Sequence, residues 1–128
     1  MKIVAVALLA LLPMLAQAEQ VFIQPSAPVQ AGQMVDADTV RAVLYPGRSC
    51  SLPLPDASRM HHAMVSTSGL REARCWASPL GDSITTISAS GNQSSLPRSE
   101  LVPARTASGL RFEVLGAPGQ SPLDTPSL

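Results

Sequence analysis

Two histidines and two methionines stand together in one five-residue run, Met60-His61-His62-Ala63-Met64. Imidazoles and thioethers both bind copper, and the soft thioethers favour Cu(I). If the run is a β-strand, Met60, His62 and Met64 project from one face and His61 from the other. A copper-binding protein is therefore the alternative function that this sequence offers. The simpler interpretation is that the methionines fill a core, so no metal or cofactor is favoured.

Cys50 and Cys75 are the only cysteines in the chain. An even number of cysteines in an exported chain favours a disulfide, because extracytoplasmic compartments are oxidising. A redox pair usually has the spacing Cys-x-x-Cys, which these two residues lack. The sequence therefore predicts one structural disulfide, Cys50–Cys75.

Arg74 and Trp76 flank the second cysteine. If Cys75 faces the core from a strand, both neighbours face the other way. Tryptophan and arginine are enriched among the residues that dominate binding interfaces. Arg74 and Trp76 are thus the candidate partner-binding residues, and a core tryptophan that packs near the disulfide is the alternative.

The sequence contains no motif that points to catalysis. The nucleophile elbow Gly-x-Ser-x-Gly is absent, and no Walker or Rossmann glycine pattern occurs. Serines, histidines and aspartates are present, but nothing in their spacing builds a triad. We therefore expect a protein that is not an enzyme.

The N-terminal residues have the pattern of a secretory signal peptide. Lys2 is followed by an apolar run from Ile3 to Leu15, and Ala16-Gln17-Ala18 supplies small residues for cleavage. The run is shorter than the roughly 20 residues that span a bilayer. We expect residues 1–18 to be removed, which leaves an exported periplasmic or secreted protein, of bacterial type, without a membrane anchor.

Charge argues against a nucleic-acid partner. The chain has 9 Lys and Arg against 9 Asp and Glu. A protein that binds the phosphate backbone needs a basic stripe, and none is visible. The function that remains is a small non-enzymatic binding or accessory protein, whose partner is expected to be another envelope or extracellular protein.

Hydrophobic patterning predicts a mainly β domain over residues 38–115. Strands are expected at Thr39–Tyr45, His61–Thr67, Glu72–Ser78, Ser83–Ala89 and Leu110–Leu115, with turns at Pro46-Gly47, Ser68-Gly69, 79–82 and Gly91-Asn92. The three middle strands form an antiparallel meander in this interpretation. Residues 19–37 are predicted to be an extended or partly disordered lead-in, with one short strand candidate at 21–23. Residues 116–128 are predicted to be a disordered tail. Both termini are therefore expected to be flexible.

The stretch from Gly81 to Leu101 also resembles the closing half of SH3-like small barrels. A strand that contains Ile84, a tight turn at Gly91, a second strand and a short 3₁₀ turn in Leu96-Pro97-Arg98-Ser99-Glu100-Leu101 follow one another. The resemblance implies an SH3-like partial barrel as the alternative to a simple meander. It concerns the fold and carries no function.

Overall fold

The computed structural model of this chain describes residues 18–78, 82–108 and 110–119. Nine β-strands make up most of these residues, and no helix within them is long and apolar enough to cross a membrane. The strands are β1 (Gln20–Pro25), β2 (Met34–Asp36), β3 (Val40–Ser49), β4 (His61–Thr67), β5 (Leu70–Ala77), β6 (Ser83–Ser88), β7 (Gln93–Pro97), β8 (Val102–Ala107) and β9 (Arg111–Val114).

The nine strands form one antiparallel sheet in the order β2-β9-β8-β1-β3-β4-β5-β6-β7. The run from β3 to β7 is a meander, which confirms the predicted antiparallel arrangement. Its central hairpin joins β4 to β5 through Ser68 and Gly69, whose φ angles are 50° and 81°. Glycine reaches this left-handed region without a steric penalty, so Ser68-Gly69 marks the turn in the sequence as well.

The segment expected as a lead-in contributes a central strand. β1 lies between β8 and β3, and Val21, Phe22 and Ile23 are all buried. A strand that is covered on both faces reads as a continuous apolar run without alternation. The three-residue run at 21–23 was therefore the signal of an interior strand, and the folded domain begins before residue 38.

Two apolar cores lie on opposite faces of the sheet. Alternation along β1 directs Val21 and Ile23 to one face and Phe22 to the other. The first core comprises Val21, Ile23, Val35, Ala37, Val40, Val43, Val102, Ala104, Phe112 and Val114. The second core comprises Phe22, Leu44, Ala63, Trp76, Ile84 and Leu101. Both faces of β1 at residues 21–24 and of β3 at residues 42–44 are consequently buried.

The order of elements that suggested an SH3-like closing half is present. β6, a turn with Gly91 at φ 89°, β7 and a 3₁₀ turn at Arg98–Glu100 follow one another and lead into β8. Leu101 is buried and Leu96 packs against the second core, as this interpretation requires.

The expected ends of the domain are only partly within the described residues. Residues 1–17 of the predicted signal peptide and residues 120–128 of the predicted tail lie outside them. The first tail residues are attached to the fold, since the Gly119 N–H donates to the Leu101 carbonyl oxygen at 2.9 Å.

The β3 strand does not end at the expected turn. It continues past Pro46-Gly47 to Ser49, with an irregular register against β4 beyond Tyr45.

Candidate functional site

An open recess of about 200 Å³ lies on the face of the first core, between β3 and β4 on one side and β8 and β9 on the other. We call it the recess. Its lining is mostly apolar and includes the buried side chains of Val40, Val43 and Phe112. The other lining residues are Ala37, Tyr45, Met64, Ser66, Arg71, Thr106, Ala107, Leu110 and Arg111.

Backbone pairing explains why residues far apart in the sequence meet here. Val43 is paired with Met64 across β3 and β4, and Ser66 is paired with Arg71 across the β4–β5 hairpin. Paired residues project from the same face, so these side chains form one wall. Arg111 belongs to β9, which reaches the opposite wall through its pairing with β8 and with β2.

Two ion pairs stand at the edge of the recess. The Arg71 Nη2 atom lies 3.3 Å from Asp38 Oδ1, and the Arg111 Nε atom lies 3.1 Å from Asp36 Oδ1. The side chain of Asp38 is 93% exposed and that of Asp36 is 64% exposed. Both aspartates therefore extend towards solvent, and both arginines contribute to the lining itself.

Tyr45 connects the recess to a second charged group. The Arg48 guanidinium carbon lies 4.3 Å from the centre of the Tyr45 ring, a cation–π geometry. Arg48 also donates to both carboxylate oxygens of Glu19, at 2.9 and 2.6 Å. Burial raises the pKa of the Tyr45 hydroxyl, and the hydrogen bond to Glu19 raises the pKa of Arg48. Tyr45 thus stays a neutral hydrogen-bonding group at neutral pH.

His62 packs against the other side of this group. Its ring centre lies 5.3 Å from that of Tyr45, its cross-strand neighbour. Burial lowers the pKa of the His62 imidazole, and the positive charge of Arg48 lowers it further. The neutral imidazole is therefore favoured in the folded protein.

We expect His62 to make the domain less stable as the pH falls below its ordinary pKa of 6.5. Because the folded-state pKa is the lower one, the unfolded chain binds the proton first, so stability is lost as the pH falls towards the folded pKa. His62→Gln should flatten this part of the curve of Tm against pH, measured by circular dichroism. His61→Gln, which leaves His62 in place, should retain the slope. A slope that survives in His62→Gln would show that other groups cause it.

The candidate copper ligands are not directed at one point. Met60 packs against the disulfide, Met64 lines the recess, and His62 lies between them against Tyr45. Along a strand, residues four apart are separated by about 13 Å. The positive charge of Arg48 beside His62 also opposes a metal cation. Within the described ranges, no group of three or more His, Cys, Asp or Glu side chains could hold a metal ion.

The predicted disulfide is present between Cys50 and Cys75, with a Cα–Cα separation of 5.4 Å. Cys75 is fully buried, and Cys50 is nearly so. Ala57 is buried beside them, and Leu52, Leu54 and Met60 pack around the group. The bond therefore attaches the irregular segment between β3 and β4 to the C-terminal part of β5.

Arg74 and Trp76 share one face of β5, and Cys75 lies on the opposite face, as the strand parity predicts. Trp76 is nevertheless only 7% exposed, because this face is covered by the second core. The Arg74 side chain is 12% exposed and donates to Ser94 Oγ at 2.9 Å. The structure thus buries Trp76 in a core, as the alternative holds, but on the face opposite the disulfide and not against it, and the expectation that it faces outward does not hold.

The recess itself was not found by sequence reasoning. Arg71 and Arg111 are forty positions apart, and neither belongs to a motif. Leu110 is exposed before β9, but a single exposed apolar side chain is ordinary on a protein surface, so no sequence signal marks the recess.

Comparison with protein-family models, with curated proteins and with solved structures finds no match for this chain. The assignment of function therefore rests on the geometry described above.

Proposed function

We propose that this chain is a small exported, non-enzymatic binding or accessory protein, and that the recess is the surface with which it binds another protein of the same compartment. The observation that carries the proposal is an apolar hollow left open next to the first core. A small domain buries little apolar surface in total, so exposure of this lining to water lowers its stability. A partner side chain that fills the recess recovers that free energy on binding.

The size of the recess supports a protein partner. Sites for drug-sized ligands have volumes of roughly 300–1,000 Å³. The recess, at about 200 Å³, is smaller and suits one apolar side chain. Protein interfaces commonly concentrate their binding energy in such an anchor, which enters a pocket on the partner.

Two observations support export. A buried disulfide is compatible with an oxidising compartment. The N-terminal sequence has the charge, apolar run and small residues of a cleavable signal. A periplasmic or secreted protein that binds a neighbour in that compartment is consistent with both.

Photo-crosslinking from one position on the recess tests the proposal. Leu110 lines the recess and is 78% exposed, whereas Leu70, on the β4–β5 hairpin, is 75% exposed and does not line it. A photo-reactive residue at position 110 should give a discrete protein adduct in the native cells, and one at position 70 should not. Ala107→Trp, which fills the recess, should abolish the adduct.

Equal adducts from both positions, or an adduct that survives Ala107→Trp, would place the binding surface elsewhere. The absence of any adduct at position 110 would also contradict the proposal. The intact mass of the recovered chain tests export in the same sample: a chain that begins at Glu19 supports it, and one that retains the first 18 residues opposes it.

A further inference from the structure

We infer that the partner segment that enters the recess carries a carboxylate next to its apolar anchor, and that Arg71 and Arg111 bind this carboxylate. The inference rests on the proposed function, because it names the chemistry of the partner at the same recess. The inferred partner segment therefore contains an apolar residue next to an acidic one, for example an aromatic residue beside aspartate or glutamate.

The guanidinium groups of the lining point to an anion, and each of them is now paired with an exposed aspartate at the edge of the recess. Arg71 and Arg111 are the charged side chains among the residues that line the recess, and no carboxylate of the described residues lines it. The two arginines stand beside an apolar interior that includes Phe112 and Val43. A ligand that combines an apolar group with a negative charge is complementary to both parts of this surface.

The ion pairs that Arg71 and Arg111 now form are weak enough for a carboxylate of the partner to replace the aspartates. Their present partners, Asp38 and Asp36, are mostly exposed to solvent, and the Arg71–Asp38 contact is long at 3.3 Å. Exposed ion pairs contribute little to stability. A partner carboxylate at the recess edge, where an apolar anchor excludes water, can form a bidentate pair with a guanidinium and replace the exposed aspartate.

Other arginines of the fold are engaged in closer pairs. Arg48 forms two hydrogen bonds with Glu19, and Arg105 contacts Glu113 at 2.7 Å. Neither of them lines the recess. Unlike Arg48 and Arg105, therefore, Arg71 and Arg111 combine a weakly held guanidinium with a position beside an apolar hollow.

Selection of random linear peptides on the immobilised mature protein tests the inference. We expect enriched peptides to share an apolar, mostly aromatic residue flanked by Asp or Glu. Their affinity should fall about tenfold in Arg71→Gln and in Arg111→Gln, as expected for loss of a charged hydrogen bond. Arg59→Gln, a matched loss of charge at an exposed site outside the lining, should leave the affinity unchanged.

Asp38→Asn separates a binding role of Arg71 from a purely structural one. This variant removes the competing carboxylate, so the enriched acidic peptides should bind several-fold more tightly. If Arg71 only braced the fold through Asp38, the variant would weaken binding or leave it unchanged. That result would overturn the role of Arg71 in binding.

The outcomes distinguish the inference from the proposed function. If Ala107→Trp blocks the enriched peptides, but they lack acidic residues and are insensitive to Arg71→Gln and Arg111→Gln, the recess binds and the inference is wrong. If no peptide is enriched, or if Ala107→Trp does not affect binding, the proposed function at the recess fails as well. Thermal unfolding of each variant verifies that the fold is retained.

Discussion

Trp76→Ala is expected to destabilise the domain by about 3–5 kcal/mol, the range measured for large aromatic side chains removed from cores. The indole is 7% exposed and packs in the second core with Phe22, Leu44 and Ile84. Small domains have only about 5–15 kcal/mol of stability in total. Urea unfolding followed by circular dichroism should therefore show a variant that is largely unfolded or close to it.

Trp76→Phe provides the matched control. The indole Nε1–H is buried and has no hydrogen-bond acceptor among the described residues. A buried donor without a partner costs about 1–3 kcal/mol, so phenylalanine removes this penalty and part of the packing together. We expect Trp76→Phe to be clearly more stable than Trp76→Ala. Leu70→Ala, at a side chain that is 75% exposed, should change stability by less than about 0.5 kcal/mol.

A Trp76→Ala protein with nearly unchanged stability would contradict the burial of this side chain. It would also restore the interpretation of Trp76 as a surface anchor. The structure predicts the opposite, because Trp76 is buried in the second core with residues of β1, β3, β4 and β6.

Loss of the disulfide is expected to have the second largest effect. Cys50 and Cys75 close a loop with a sequence separation of 25 residues. In the chain-entropy model, a loop of this size stabilises the folded state by about 3.5 kcal/mol. Cys50→Ala/Cys75→Ala should lose about this amount, measured as a shift of the urea midpoint. The alanines remain apolar in a buried environment, so no unpaired polar group confounds the comparison.

Reductant supplies the control for this variant. Dithiothreitol should destabilise the wild-type protein towards the level of the double variant and should leave the variant itself unchanged. Wild-type stability that is insensitive to complete reduction would contradict a stabilising role for the bond. Unfolding of the reduced protein should retain the ordinary cooperative transition, because all residues of the first core and all but Ala63 of the second lie outside the loop that the bridge closes.

The meander was predictable because its signals are local. The β4 strand has the bounds that the sequence predicts, His61–Thr67, and the β5 and β6 strands agree to within two residues at each end. Turn residues such as Gly69 and Gly91 occupy left-handed conformations, so they mark where strands end. The alternation of apolar and polar residues indicates the strands between these turns. The single disulfide followed from the presence of two cysteines in a chain that begins with the pattern of a secretory signal.

The strands β2, β7 and β8 were harder to predict because they carry weak signals. β2 has three residues, β7 is mainly polar, and β8 contains Pro103. Proline within a run argues against a strand in sequence-based reasoning. The positions of β2 and β8 also depend on pairing with strands that are far away in the chain, β9 and β1.

The burial of Trp76 could not be inferred from the alternation of side chains along β5. Alternation correctly separates Cys75 from Trp76, but it does not reveal whether the second face meets water. Here both faces of the central strands are packed, so an inward cysteine does not imply an outward tryptophan. The recess could not be inferred for a similar reason, since its lining comes from β4, β5 and β9, which are neither all consecutive in the chain nor adjacent in the sheet.

Methionine methyl NMR tests the central claim, that the recess is the binding surface. Three methionines lie at distinct places: Met64 lines the recess, Met60 packs near the disulfide, and Met34 is 45% exposed on the edge strand β2. With ¹³C-methyl-labelled protein that begins at Glu19 and a peptide enriched by the selection, we predict that the Met64 signal shifts and shows contacts to the peptide, while the Met60 and Met34 signals do not shift. A Met64 signal that does not move while Met60 or Met34 shifts would contradict the claim.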